Sequence, residues 1–163
     1  MKGPYDLYLI CALTALACSY ALTPLVRLLA LRLQLLDTPS SAVKTHKVAT
    51  PSLGGLAIAA GFFIALLTIR LFTHFPTGTL HNLRGILYGG TIMLALGLID
   101  DVRKPRGLSV RTKFLFQIAA ACVLIIYDMS IRFVQPDYLG LLLSIVWVVG
   151  VSNAFNIIDI MDG

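Results

Sequence analysis

Asp100 and Asp101 stand side by side at the end of an apolar run that closes Gly97-Leu98-Ile99-Asp100-Asp101. Adjacent carboxylates repel unless a cation lies between them. Charge at the end of a membrane-length apolar segment is costly unless it is paired or used. Placed this way, the two acids predict a divalent-metal site at a membrane face. A second polar set closes the chain, with Asn153, Asn156, Asp159 and Asp162 at every third position. On an ideal helix each such step drifts by about 60°. Neighbours in the row meet, whereas Asn153 and Asp162 fall on opposite faces. Either the helix loosens near Ile160 or the row wraps around a site. Asn153 and Asn156 alone read equally as interhelical glue or as function; two aspartates at the same spacing favour function.

The cations that could join these acids are Lys44, Lys47, Lys113 and His46, with Asp37 as a further candidate acid. Carboxylate oxygens suit Mg²⁺ or Mn²⁺ better than zinc, which prefers nitrogen and sulfur. A metal with lysines suits a phosphate or pyrophosphate, because phosphoryl transfer rests on positioning and on neutralising spread charge. At a membrane face, one substrate is expected to be a lipid. The residues thus predict a metal-dependent enzyme that joins a lipid phosphate to a soluble phosphorylated donor.

The elements that must position these residues are membrane helices. The chain of 163 residues is 58% hydrophobic and only 13% charged, against about a quarter charged in soluble domains. Its mean hydropathy is +0.86. Leu7 to Val26 is 20 residues without a charge, enough for a hydrocarbon core of about 30 Å. This run is too long for a cleavable signal and lacks a small-residue cleavage site. Apolar runs predict helices near 7–31, 53–72, 83–99, 110–127 and 139–158. The fourth is short for a span, and Arg111 and Lys113 reach from it to the interface. The fold class is an all-α integral membrane domain of five transmembrane helices.

Loops 32–52 and 100–109 lie on one side, and the connectors after the second and fourth helices on the other. Segments 27–52 and 100–113 hold nine of the thirteen Lys and Arg residues. The positive-inside rule then puts both in the cytoplasm and the N-terminus outside. Asp100, Asp101 and the end of the chain share that cytoplasmic face. The stretch Ser130-Ile131-Arg132-Phe133-Val134 in the outer connector is a candidate for extended backbone. Gly54 and Gly55 open the second helix. They would let a backbone or a phosphate approach closely, or serve only helix packing. Cys11, Cys18 and Cys122 sit in apolar runs without metal spacing and read as buried small residues. His74 and His81 are given no role.

Three motifs carry a family resemblance. The first is Asp37-Thr38-Pro39 with Lys44-Thr45-His46 and Pro51-Ser52-Leu53-Gly54-Gly55. The second is Gly97-Leu98-Ile99-Asp100-Asp101 with Gly107-Leu108-Ser109, Arg111-Thr112-Lys113 and Gln117. The third is Asn153-Ala154-Phe155-Asn156 with Asp159 and Asp162-Gly163. In this order the chain resembles the polyprenyl-phosphate N-acetylhexosamine-1-phosphate transferases of glycosyl transferase family 4. The likeness is nearer to the bacterial undecaprenyl-phosphate N-acetylglucosamine-1-phosphate transferases than to the phospho-MurNAc-pentapeptide transferases.

The resemblance implies attack of polyprenyl phosphate on the β-phosphorus of a UDP-N-acetylhexosamine, with Mg²⁺ required. The products would be a lipid-diphosphate sugar and UMP, used in cell-wall or surface-polysaccharide synthesis. It implies metal binding or lipid-phosphate activation at Asp100 and Asp101. Catalytic or nucleotide-sugar roles fall on Asp159 and Asp162, phosphate contacts on Lys44, His46 and Lys113, and substrate contacts on Asn153 and Asn156. It implies a multi-pass protein of the bacterial inner membrane with a cytoplasmic active site. A homodimer is left open, and nucleic acid is not expected as a partner.

The chain departs from the family pattern in places. Val43 stands where the family often has arginine, one residue is inserted between Asp37 and His46, and Ile160 replaces a glycine. The resemblance covers the N-terminal half of a fold of roughly ten helices and stops mid-motif at Gly163. As it stands, the chain is expected to be inactive or badly impaired. The alternatives are a truncated, non-catalytic membrane scaffold and a small transporter. Against the transporter, the acids cluster at one face and not at mid-membrane.

Overall fold

The computed structural model describes residues 4–37, 50–73, 77–104 and 106–160. Five helices carry nearly all of it: α1 Pro4–Arg32, α2 Gly54–Phe72, α3 Thr77–Val102, α4 Val110–Ile126 and α5 Asp137–Ile160. α1, α2, α3 and α5 are long and apolar enough to cross a membrane. α4, at 17 residues, is the short one. Much of the surface is apolar, with Tyr20, Leu67, Leu115 and Trp147 each more than 60% exposed. In water such a surface would be an interaction site or a liability; on membrane-length helices it is the face that meets lipid or further helices.

The chain divides into two compact units. In the first, α1 and α2 pack antiparallel. The buried residues of α2 are Ala57, Gly61, Ala65 and Ile69, a stripe at four-residue spacing that lets backbones approach, as in membrane helix pairs. Gly61 is the tightest point: a Cβ there would stand 2.8 Å from the Ala15 carbonyl oxygen. Strands β1 (Leu36–Asp37) and β2 (Thr50–Pro51) pair antiparallel beyond the helix ends. Ser52 reinforces them, its Oγ donating to the Leu35 carbonyl at 3.0 Å. The polar loop expected over 32–52 therefore has its two flanks tied together, a short exception to an all-helical chain.

In the second unit α4 packs against both α3 and α5. Its buried face is Gln117, Ala120 and Ala121, and Gly89 of α3 rests on Ala120 and Leu124. The third helix is longer than expected. The helix expected over 83–99 runs from Thr77 to Val102, so Asp100 and Asp101 are helical and not loop residues. Residues 130–134, a candidate for extended backbone, join no sheet. The Ile131 N–H goes instead to Ser144 Oγ of α5 at 2.8 Å, and that hydroxyl donates to the Gly140 carbonyl at 2.8 Å. A Cβ on Gly140 would run into the Ile131 carbonyl, so glycine is what lets the connector lie on α5.

Candidate active site

Asp100 and Asp101 occupy the last turn of α3, which has no basic residue of its own there. Carboxylates at a helix C-terminus face the negative end of the backbone dipole. Each is offset by a separate lysine. Asp100 Oδ2 accepts from Lys113 Nζ of α4 at 2.7 Å, and its Oδ1 accepts from the Leu108 N–H at 2.7 Å. Asp101 Oδ1 lies 2.8 Å from Lys104 Nζ, three residues on. All four side chains are partly exposed. Two adjacent acids thus coexist through two cations, one from the same helix and one from the next.

The loop between α3 and α4 is shaped for this contact. Gly107 has φ +63°, the left-handed region open to glycine. Its N–H donates to the Arg103 carbonyl at 3.0 Å. A Cβ there would come within 3.1 Å of Asp100 Oδ1, so the absent side chain leaves room for the carboxylate to reach the Leu108 N–H. Ser109 then caps α4, its Oγ accepting from the Thr112 N–H at 3.2 Å. That cap organises the turn carrying Lys113.

One turn along α4, Gln117 is only 4% exposed. It forms a reciprocal amide pair with Asn153 of α5. Asn153 Nδ2 donates to Gln117 Oε1 at 2.9 Å, and Gln117 Nε2 donates to Asn153 Oδ1 at 3.4 Å. Asn153 Nδ2 also donates to the Val149 carbonyl at 2.8 Å.

Residues 83–163 match the profile described as Glycosyl transferase family 4. They hold every one of the contacts just described. Through these residues the chain belongs to glycosyl transferase family 4. A probable undecaprenyl-phosphate N-acetylglucosaminyl 1-phosphate transferase of Bacillus subtilis is 30% identical over 151 residues, 87% of this chain and 39% of that protein. A decaprenyl-phosphate N-acetylglucosaminephosphotransferase of Mycobacterium leprae is 31% identical over 164 residues, 93% of this chain and 40% of that protein. A phospho-N-acetylmuramoyl-pentapeptide-transferase of Desulfosudis oleivorans is 35% identical over 138 residues, 72% of this chain and 36% of that protein. The chain spans about two fifths of the length of the first of these relatives. No solved structure matches it.

Of the residues singled out in this family member, Asp100 and Lys113 are brought into contact and Asp101 stands beside them. Asn153 is turned toward α4, and Asn156 is exposed one turn further along α5. Asp159 lies in the last turn of α5. Lys44, His46 and Asp162 lie outside the described residues. Gln117 was legible as a member of the second motif; its pairing with Asn153 was not. The available signal was an amide in the small-residue face that Ala120 and Ala121 continue. Among the described residues no three His, Cys, Asp or Glu side chains converge as a metal cluster. Asp100 and Asp101 still suit Mg²⁺ by type, since that ion commonly takes one or two protein carboxylates and completes its shell with water and substrate phosphate.

Proposed function

We propose that the chain belongs to an enzyme that transfers a sugar 1-phosphate, N-acetylglucosamine 1-phosphate in the first instance, from a UDP-sugar to polyprenyl phosphate. The products are a lipid-diphosphate sugar and UMP, formed at the cytoplasmic face of a bacterial inner membrane for cell-wall or surface-polysaccharide synthesis. The observation that carries this reading is the Asp100–Lys113 pair across α3 and α4. It lies beside Asp101 within the residues that match the family.

The pair supports a phosphate-binding role for Lys113. Lys113 is held where an anionic oxygen already meets it, so a substrate phosphate would find an ammonium in position. Lys44 and His46 are proposed as further phosphate contacts, and the exposed Asn156 as a polar contact to the substrates; Asn153, expected in the same role, has its amide turned to Gln117 instead. Asp159 and Asp162 are proposed to act on the nucleotide sugar or the attacking phosphate. Mg²⁺, or Mn²⁺, would be held by Asp101 and Asp100 and would screen pyrophosphate charge. In the reaction an oxygen of the lipid phosphate forms a bond to the β-phosphorus of the UDP-sugar. The bond from that phosphorus to the bridging oxygen breaks, and UMP leaves with the bridging oxygen.

The test is UMP release from UDP-N-acetylglucosamine with polyprenyl phosphate and Mg²⁺. It should be run on the 163-residue chain and on the chain extended through any coding sequence that follows Gly163. Release that needs the lipid phosphate and stops with EDTA is expected in the extended form. Release in neither form, across a panel of UDP-sugars, would sink the reading.

A further inference from the structure

We infer that the Gln117–Asn153 amide pair is a positioning device that sets the register of α5 against α4. It thereby fixes where the end of α5 stands relative to the Asp100–Lys113 pair. The inference rests on the transferase reading for its consequence in catalysis, but not for its structural claim.

The first ground is cost. Gln117 is, with Ser144, one of two buried polar side chains among the described residues. An amide in such a place needs partners, and the other buried residues of α4, Ala120 and Ala121, are small and apolar and offer none from their side chains. Asn153 satisfies both atoms of the Gln117 amide. Two opposed hydrogen bonds constrain both sliding and rotation, which apolar packing does not. The bond from Asn153 Nδ2 to the Val149 carbonyl further fixes its rotamer on α5.

The second ground is placement. Lys113 precedes Gln117 by four residues, and Asp159 follows Asn153 by six. At about 1.5 Å rise per residue, they stand roughly 6 and 9 Å beyond the pair along their helices. α4 and α5 are antiparallel, so both distances run toward the same end of the unit. A slip of α5 by one register step would move its last turn past Lys113. Displacements of about 1 Å at reacting groups can cost a hundredfold in rate. Gln117 and Asn153 therefore act through other residues, as positioning residues for Lys113 and for the end of α5.

The experiment compares the gene-length protein with Gln117→Leu/Asn153→Leu, which keeps bulk but removes both amides, and with the exchanged pair Gln117→Asn/Asn153→Gln. Spin labels at Leu115 and Ile158, with Cys11, Cys18 and Cys122 replaced, report the α4–α5 distance. The apolar pair is expected to keep its thermal midpoint, lose at least tenfold in kcat with KM for the UDP-sugar changed less than threefold, and show a shifted or broadened distance. The exchanged pair should recover part of both losses. Wild-type kcat and an unchanged distance in the apolar pair would reduce the amides to glue and overturn the inference. If the apolar pair fails to insert, Gln117→Met gives the same readouts with one amide kept. If no variant, wild type included, releases UMP, the transferase reading fails. The distance then still decides the register claim, with a change supporting it and no change overturning it.

Discussion

Asp100 is the residue whose contacts are the most restrictive. One oxygen is committed to a backbone N–H and the other to an ammonium, so replacement by asparagine keeps shape but not charge. The Asn oxygen can still accept from Leu108, while its NH₂ would face Lys113 donor to donor. Asp100→Asn is expected to abolish UMP release and leave membrane insertion intact; turnover at the wild-type rate would refute the site assignment. Gly107→Ala acts on the same carboxylate from outside. The left-handed backbone costs an L-residue roughly 1–2 kcal/mol, and the new methyl would crowd Asp100 Oδ1. The expected result is a loss of turnover larger than the fall in thermal midpoint alone explains, measured on the same purified sample. The acids themselves were legible because two charges closing an apolar run have few structural uses. Their separate lysines were not, because a run of basic residues from Arg103 to Lys113 does not say which one meets which oxygen.

At the scale of elements, charge placement breaks a local rule. Asp100 sits at the C-terminal end of α3 and Lys113 in the first turns of α4, each at the helix end that its own charge disfavours. The antiparallel packing of α3 on α4 brings the two misplaced charges together. Such local conflicts concentrate at functional sites. The other end of this unit shows ordinary structural economy. Tyr127 covers Gly85, where a Cβ would stand 2.6 Å from the Tyr127 Cβ, and Ser144 holds the connector through the Ile131 N–H. Ser144→Ala removes the hydroxyl that this part-buried N–H donates to, at about 0.5–1.5 kcal/mol. A lowered thermal midpoint in detergent with unchanged KM is expected, and an unchanged midpoint would show that the connector is held by packing alone. The helices were legible from apolar runs, and α3 was read short at both ends. At its C-terminal end the reason is that carboxylates read as loop residues until their partners are known. Ile131 and its neighbours suit extended backbone by residue type, yet among the described residues no strand lies beside them to make a sheet.

At the scale of the molecule, the consequence that matters is which side of the membrane the carboxylates face. α3, α4 and α5 put Asp100, Asp101, Lys104 and Lys113 at one end of their unit, and His81, Asp128 and Arg132 at the other. His81 Nε2 lies 3.4 Å from Asp128 Oδ2, and Arg132 reaches the same carboxylate at 3.3 Å. The first end carries Arg103, Lys104, Arg106, Arg111 and Lys113, the basic bias that marks cytoplasmic loops. A soluble nucleotide sugar is made in the cytoplasm, so the proposed reaction requires that end to be cytoplasmic. Single cysteines at His81 and Arg106, in a background without Cys11, Cys18 and Cys122, test this with a membrane-impermeant maleimide. His81→Cys should label in intact spheroplasts and Arg106→Cys only in inverted vesicles. The reverse pattern would place the carboxylates outside. It would deny them their proposed donor, whatever the quality of the contacts between Asp100 and Lys113.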